Sequence, residues 1–260
     1  MRFHKQSEFR GASGAGSDYT SCQSVYRGHI CHSRGNIGCT EGTVTDMEKF
    51  GVLKSRAVVL PLANVDTDII APMKRLLRNM DEMGKYAFEP IRFVNGDGDA
   101  AVPDEGFPLN RPENKDAKIM IVGNNFGCGS SREMAAQGIA EMGIRCLIGT
   151  SFGSIFHDNC FQYGILPVIL DEAEVDALAS KCEKGEFTVD LIKNSITAPD
   201  DVVTAFSVNE YRREMLMQGL DQIGVTLQRK AVIDAFEERD REKRPWIYAQ
   251  EKRKSLPMGR

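Results

Sequence analysis

No apolar run in this sequence of 260 residues approaches the length of a membrane span. The first ten residues, Met1 to Arg10, are polar and lack the apolar core of a secretory signal. Positive charge is not in excess: 33 Lys and Arg against 37 Asp and Glu leave a net charge of −4, which gives no electrostatic ground for a nucleic-acid partner. Paired cysteines are missing too. The seven cysteines are odd in number and show no C-x-x-C spacing, so free thiols in a reducing, cytoplasmic setting are the simplest expectation. No internal repeat stands out. Hydrophobic content of 42% and charged content of 27% are ordinary for a globular protein of one large domain, with or without appendages.

The ends read differently from the middle. Residues 1–48 carry no periodic apolar face, and Gly11 to Ser24 is rich in Gly and Ser, so an N-terminal disordered extension is expected. His29, Cys31, His32 and Cys39 lie in it at spacings that match no structural zinc pattern. Met47 is a candidate start; a native N-terminal sequence beginning at Met1 would end that idea. The expected domain covers residues 49–245, followed by a charged tail over residues 246–260.

Within the domain the pattern alternates. Ala57 to Leu62 reads as a strand, and the loop Asn64-Val65-Asp66-Thr67-Asp68-Ile69-Ile70-Ala71-Pro72 follows. Asp and Asn at a strand end usually make Asx turns; the sharper reading sends one carboxylate into a site. Residues 73–86 are helical in part, with Leu76, Leu77 and Met80 as a core stripe and Lys74, Arg75 and Arg78 as a solvated face that could also greet an acidic substrate. Residues 95–112 read as a loop. Strands are then expected at 118–122, 144–148 and 165–170 and helices at 131–142 and 151–163, the second carrying Phe152, Ile155, Phe156 and Phe161 as its core face. A helix at 175–183, strands at 186–192 and 201–206, and helices at 211–219 and 232–243 complete the chain. Strand and helix alternating over short links argue an α/β fold of βαβ units with parallel pairing. His157 sits in the second helix, where a lone histidine is more often packed than catalytic.

The stretch that organises the chain is Gly123-Asn124-Asn125-Phe126-Gly127-Cys128-Gly129-Ser130-Ser131-Arg132-Glu133. A strand leads into it and a helix leaves it, closed by Gly143. Ser130-x-x-Glu133 has the spacing of a capping box, with Ser130 as the N-cap. A glycine loop at a helix N-terminus favours an anion, and Arg132 can grip a carboxylate with two hydrogen bonds. Glycine-rich turns that do nothing but turn are common, however. No lysine follows the glycines as in a Walker P-loop, and neither G-x-G-x-x-G nor G-x-S-x-G fits.

Residues 125–133 resemble, without a change, the signature of the aconitase/isopropylmalate isomerase swivel-domain family, and within it the small subunits of 3-isopropylmalate dehydratase. Residues 64–72 are similar to that family's N-x-D-T-D-x-I-I-P motif. Ser151-Phe152-Gly153-Ser154-Ile155-Phe156-x-x-Asn159, with Gly164-Ile165-Leu166-Pro167, resembles its S-F-x-x-I-F-x-x-N…G-x-L-P segment. Gly219-Leu220-Asp221-x-Ile223-Gly224-x-Thr226-Leu227 resembles the tail of its longer members. The resemblance implies a swivelling β/β/α domain like the fourth domain of aconitase. It implies a large-subunit partner that carries a [4Fe–4S] cluster, with no metal held by this chain. It also implies a hydro-lyase activity in leucine biosynthesis: a small hydroxy diacid, 2-isopropylmalate, is dehydrated and rehydrated to 3-isopropylmalate. By the same resemblance Ser130 is the base, acting as an alkoxide. Ser131 bonds the same centre, Arg132 clamps a substrate carboxylate, and Asp68 holds a cationic partner or a water. Gly129 and Arg75 are further expected substrate contacts.

Two departures stand out. Met134-Ala135-Ala136 replaces the usual His-Ala-Pro, and Ile70-Ala71-Pro72 replaces I-I-P. Both suggest a paralogue acting on a methylated malate or a citrate-like acid. A different class, a non-catalytic anion-binding or regulatory module whose serines only cap, also fits the residues.

Overall fold

A computed structural model describes residues 47–77, 82–94 and 101–248. Residues 1–46 of the expected N-terminal extension, with its four Cys and His residues, and Arg78, Met80 and most of the expected tail lie outside the described residues; Met47, placed in that extension, is buried, and Glu48 pairs with Arg145.

Seven strands form one sheet: β1 (Val52–Leu60), β2 (Ile119–Val122), β3 (Cys146–Gly149), β4 (Leu166–Ile169), β5 (Glu186–Asp190), β6 (Ser195–Thr197) and β7 (Val203–Ala205). Their order is β4-β3-β2-β1-β5-β6-β7. β1 belongs to both halves. Its last residues, Ala57 to Leu60, pair parallel with Ile119 to Val122, whereas Val52 to Arg56 pair antiparallel with β5. β2, β3 and β4 continue the parallel half, as the alternating pattern requires, and β6 and β7 continue the antiparallel half.

Every residue of β2 and β3 is buried, which is why both read as unbroken apolar runs. Their side chains alternate between two cores. Met120, Val122 and Leu147 face a cluster with Ala135, Ile139, Phe156 and Cys160, from helices α5 (Glu133–Glu141) and α6 (Ser154–Gln162). Ile119, Ile121, Cys146 and Ile148 face the other, with Val175 and Leu178 of α7 (Glu172–Ala179) and Phe187 of β5. Among the described residues, four one-turn α-helices lie in the link between β1 and β2: α1 (Thr67–Ile70), α2 (Met73–Leu76), α3 (Met83–Tyr86) and α4 (Glu89–Arg92). After β7 come α8 (Glu210–Gln218), α9 (Gln222–Leu227) and α10 (Lys230–Lys243).

Several expectations shift. Helix α7 starts at Glu172, three residues early, because the Glu174 carboxylate accepts the Asp171 N–H at 3.3 Å and closes the first turn. β6 occupies the stretch left between the strands expected at 186–192 and 201–206, and α9 was not foreseen; both are too short to show a period. Leu77, expected in the core stripe, is 81% exposed because α2 stops at Leu76. Arg75 leaves the expected solvated face, its side chain only 12% exposed, whereas Lys74 keeps 48% of its own in solvent. Both reach Glu89, which is 1% exposed.

Gly127 (φ +72°) fixes how closely α6 approaches the loop after β2: a Cβ there would stand 2.2 Å from Cγ of Phe156. Gly127→Ala is therefore expected to cost about 3 kcal/mol from left-handed strain plus overpacking, read as a lower urea midpoint at unchanged slope.

Candidate active site

Three loops leave the C-terminal ends of the parallel strands β1, β2 and β3, the edge of an open α/β sheet where ligands bind. Backbone hydrogen bonds lace them together. The Asn64 N–H donates to the Asn124 carbonyl at 2.8 Å, the Gly127 N–H to the Val65 carbonyl at 2.7 Å, and the Thr67 N–H to the Cys128 carbonyl at 2.9 Å. The Asn125 side-chain amide donates to Asn64 Oδ1 at 2.8 Å. On the other side, the Asn125 N–H donates to Ser151 Oγ at 2.9 Å and the Ser151 hydroxyl to Asn124 Oδ1 at 2.5 Å. Gly153 is needed because a Cβ there would lie 2.3 Å from the Gly127 carbonyl oxygen.

Phe126 anchors the middle loop. It is fully buried, with ring centroids of Phe88, Phe152 and Phe156 at 6.3, 6.5 and 5.6 Å. The chain past it rises to the surface, where Gly129, Ser130 and Ser131 are exposed. Ser130 does not cap α5, contrary to the capping-box expectation. The helix begins at Glu133 with Arg132 as an extended N-cap (φ −122°, ψ 102°) and no side-chain cap bond. The reason lies in the neighbouring loop: the Thr67 hydroxyl holds the Ser130 carbonyl at 2.9 Å and keeps residues 130–132 out of the helix. The Glu133 carboxylate accepts instead from the Tyr163 hydroxyl at 3.1 Å.

Arg132 turns back towards the first loop. Its Nη1 donates to the Asp68 carboxylate and to the Ala71 carbonyl, the latter at 3.2 Å. Its side chain is 10% exposed, whereas that of Asp68 is 60% exposed. Asp66, the other carboxylate of the motif, makes the turn: its Oδ1 accepts the Ile69 N–H at 2.8 Å and caps α1. Ser130, Ser131, Gly129, Arg132 and Asp68 thus share one rim. Arg75 points elsewhere. It forms a two-pronged bond with Glu89, at 3.1 and 2.5 Å, and lies over the Tyr86 ring with its central carbon 4.0 Å from the centroid.

The two departures from the motifs fall in packing. Ala71, Ala135 and Ala136 are fully buried, and Met134 packs against the first core. His157 is half-buried, edge-on to Phe161; burial lowers its proton affinity and Asp158 partly restores it. Among the described residues, no three His, Cys, Asp or Glu side chains gather in a way that could hold a metal. Cys146, Cys160 and Cys182 are buried, and burial pushes their thiols up, Cys182 to about 12. Cys128 is half-exposed. No helix among the described residues is long and apolar enough to cross a membrane.

Comparison with known proteins agrees with this geometry. Residues 47–173 match the aconitase C-terminal domain, and residues 223–250 match the C-terminal domain of the 3-isopropylmalate dehydratase small subunit. The 3-isopropylmalate dehydratase small subunit of Ruegeria pomeroyi is 44% identical over 206 residues, covering 77% of this chain and all of the relative. The chain belongs to the 3-isopropylmalate dehydratase small-subunit family. The small subunit from Paramagnetospirillum magneticum is 46% identical over the same span and also matched throughout its length. The crystal structure of 3-isopropylmalate dehydratase from Methanocaldococcus jannaschii superposes with a TM-score of 0.53 at 28% identity, over 71% of this chain and 98% of the other. The fold is accordingly the swivelling α/β domain that the resemblance implied.

The sequence reading missed Thr67. It is 1% exposed, and its hydroxyl meets Ser130 at two atoms. The only signal was its place between two aspartates, which drew attention to the carboxylates instead.

Proposed function

We propose that this chain completes the active site of a 3-isopropylmalate dehydratase when it docks on a large subunit. The observation that carries the reading is the rim itself: two exposed serines on a loop laced to two neighbours, beside an arginine pinned by Asp68. Arg132 has Nη1 committed to the chain and retains the other donors of its fork for a substrate carboxylate. Asp68 holds that guanidinium in place, Ser130 takes the proton α to a carboxylate, and Ser131 and the Gly129 backbone bond the same centre. When bound, a [4Fe–4S] cluster on the large subunit supplies the Lewis acid for the departing hydroxyl. A site this open needs a partner to exclude water. Leu62, Met73, Leu77 and Ile155, all exposed and all on segments leaving the three loops, offer apolar surface for one.

Isopropylmalate is the favoured diacid. The segment after Pro72 has Lys74 and Arg75 drawn to Glu89, and its exposed side chains include Met73 and Leu77, which suit an isopropyl group better than a third carboxylate. The departures at Ala71 and Met134 are packing changes under this reading. Free thiols at all four described cysteines and a net charge of −4 suit a cytoplasmic enzyme with no nucleic-acid partner.

The test is anaerobic. The chain is mixed with its cognate cluster-loaded large subunit, and the absorbance of the unsaturated intermediate is followed from 2-isopropylmalate, citrate and methylated malates in parallel. Turnover of 2-isopropylmalate alone is expected. Turnover of another acid would overturn the substrate, and silence with every acid from an assembled complex would favour the anion-binding module.

A further inference from the structure

The buried hydroxyl of Thr67 is the polar group around the rim that the mechanism above leaves unused. It is held on three counts: the residue is 1% exposed, its N–H is bonded to the Cys128 carbonyl at 2.9 Å, and its β-branch restricts its rotamer. The hydroxyl lies 2.9 Å from the Ser130 carbonyl and 3.5 Å from Ser130 Oγ. A threonine hydroxyl has one proton and two lone pairs. With its proton on the carbonyl, it has a lone pair free to accept from the Ser130 O–H. Once the exposed Ser130 has lost that proton to solvent, rotation about the Thr67 C–O bond turns the Thr67 hydroxyl, its proton still attached, from the carbonyl to the alkoxide. A hydrogen bond to an ionised oxygen is shorter and about twice as strong as one to a neutral group, and catalytic contacts that are long without substrate tighten in the complex.

We propose that Thr67 is a positioning residue that acts through Ser130: it accepts from the neutral serine and donates to the deprotonated one, lowering the cost of the base form. This rests on the reading of Ser130 as the base. It goes further in naming a donor that lies outside the glycine loop and comes from the loop after β1.

The test uses the assembled enzyme with cluster-loaded large subunit and 2-isopropylmalate. Thr67→Val keeps shape and burial but removes the donor. Its kcat is expected to fall about 100-fold, as for loss of one oxyanion donor, with KM little changed. Losing the donor disfavours the deprotonated serine, so the acid limb of the kcat–pH profile should move to higher pH by about one unit. Thr67→Ser should restore both kcat and the limb. A limb that stays in place in Thr67→Val, with activity lost only in step with folded or assembled protein, would make Thr67 a tether and overturn the proposal. Thr67→Ala replaces the valine variant if that one does not fold, and failure of both to fold counts equally against the proposal. Ser130→Ala run in parallel separates the two layers: full turnover there ends the base reading, whereas its loss beside a normal Thr67→Val ends only this inference.

Discussion

Ser130→Ala, assembled with the large subunit, is expected to lose about 10²- to 10⁴-fold in kcat, the range for a positioned base. Folding should hardly change. Ser130 is exposed and caps nothing, so its hydroxyl contributes to the fold at most through the 3.5 Å contact with Thr67. The unfolding free energy from urea melts should therefore change by less than about 0.5 kcal/mol, as for most surface substitutions. A serine that only capped α5 would give the reverse, about 1 kcal/mol of stability lost and turnover untouched. Steady-state kinetics and urea melts on the same preparation decide between the two. Full activity in the alanine variant would remove Ser130 from the mechanism.

Arg75→Met is expected to have a large effect on stability. Glu89 is 1% exposed and takes two hydrogen bonds from Arg75, with Lys74 Nζ at 3.4 Å. Removing Arg75 strips the buried Glu89 carboxylate of its two-pronged partner and leaves the longer contact with Lys74, which is expected to cost about 3 kcal/mol, the lower end for a broken buried pair. For a chain of this size that corresponds to a fall in Tm of about 10 °C. Arg75→Met combined with Glu89→Leu should recover much of the loss, since replacing a whole buried pair by apolar groups is often neutral. A raised KM with unchanged Tm in the single variant would instead return Arg75 to the substrate contacts that the motif resemblance implied.

The parallel half of the sheet was legible because its strands are buried on both faces and its helices end on glycines such as Gly143 (φ +90°), both of which leave plain marks in a sequence. The antiparallel half was less so. Three-residue strands such as β6 are held by their neighbours rather than by any pattern of their own. At the rim, residue types were readable and their partners were not. The spacing Ser130-x-x-Glu133 suits a capping box on local grounds, yet a hydroxyl 63 residues away takes the Ser130 carbonyl and delays the helix. Arg75 likewise looks solvent-facing until Glu89, 14 residues on, is found inside the protein. Local propensity yielded at each of these places to a contact distant in sequence.

The lacing of the three loops also sets the order of events during folding. Thr67 reaches Ser130 across 63 positions and Asp68 reaches Arg132 across 64, while Asn125 waits for Ser151. Contacts that close such long intervals form only after the loop-closure entropy has been overcome, and the parallel pairing of β1 with β2 closes an interval of the same length. A growing chain therefore displays no rim until residues well past 150 have emerged and the parallel strands have met. A large subunit that docks on this rim would therefore select chains whose three loops have already met.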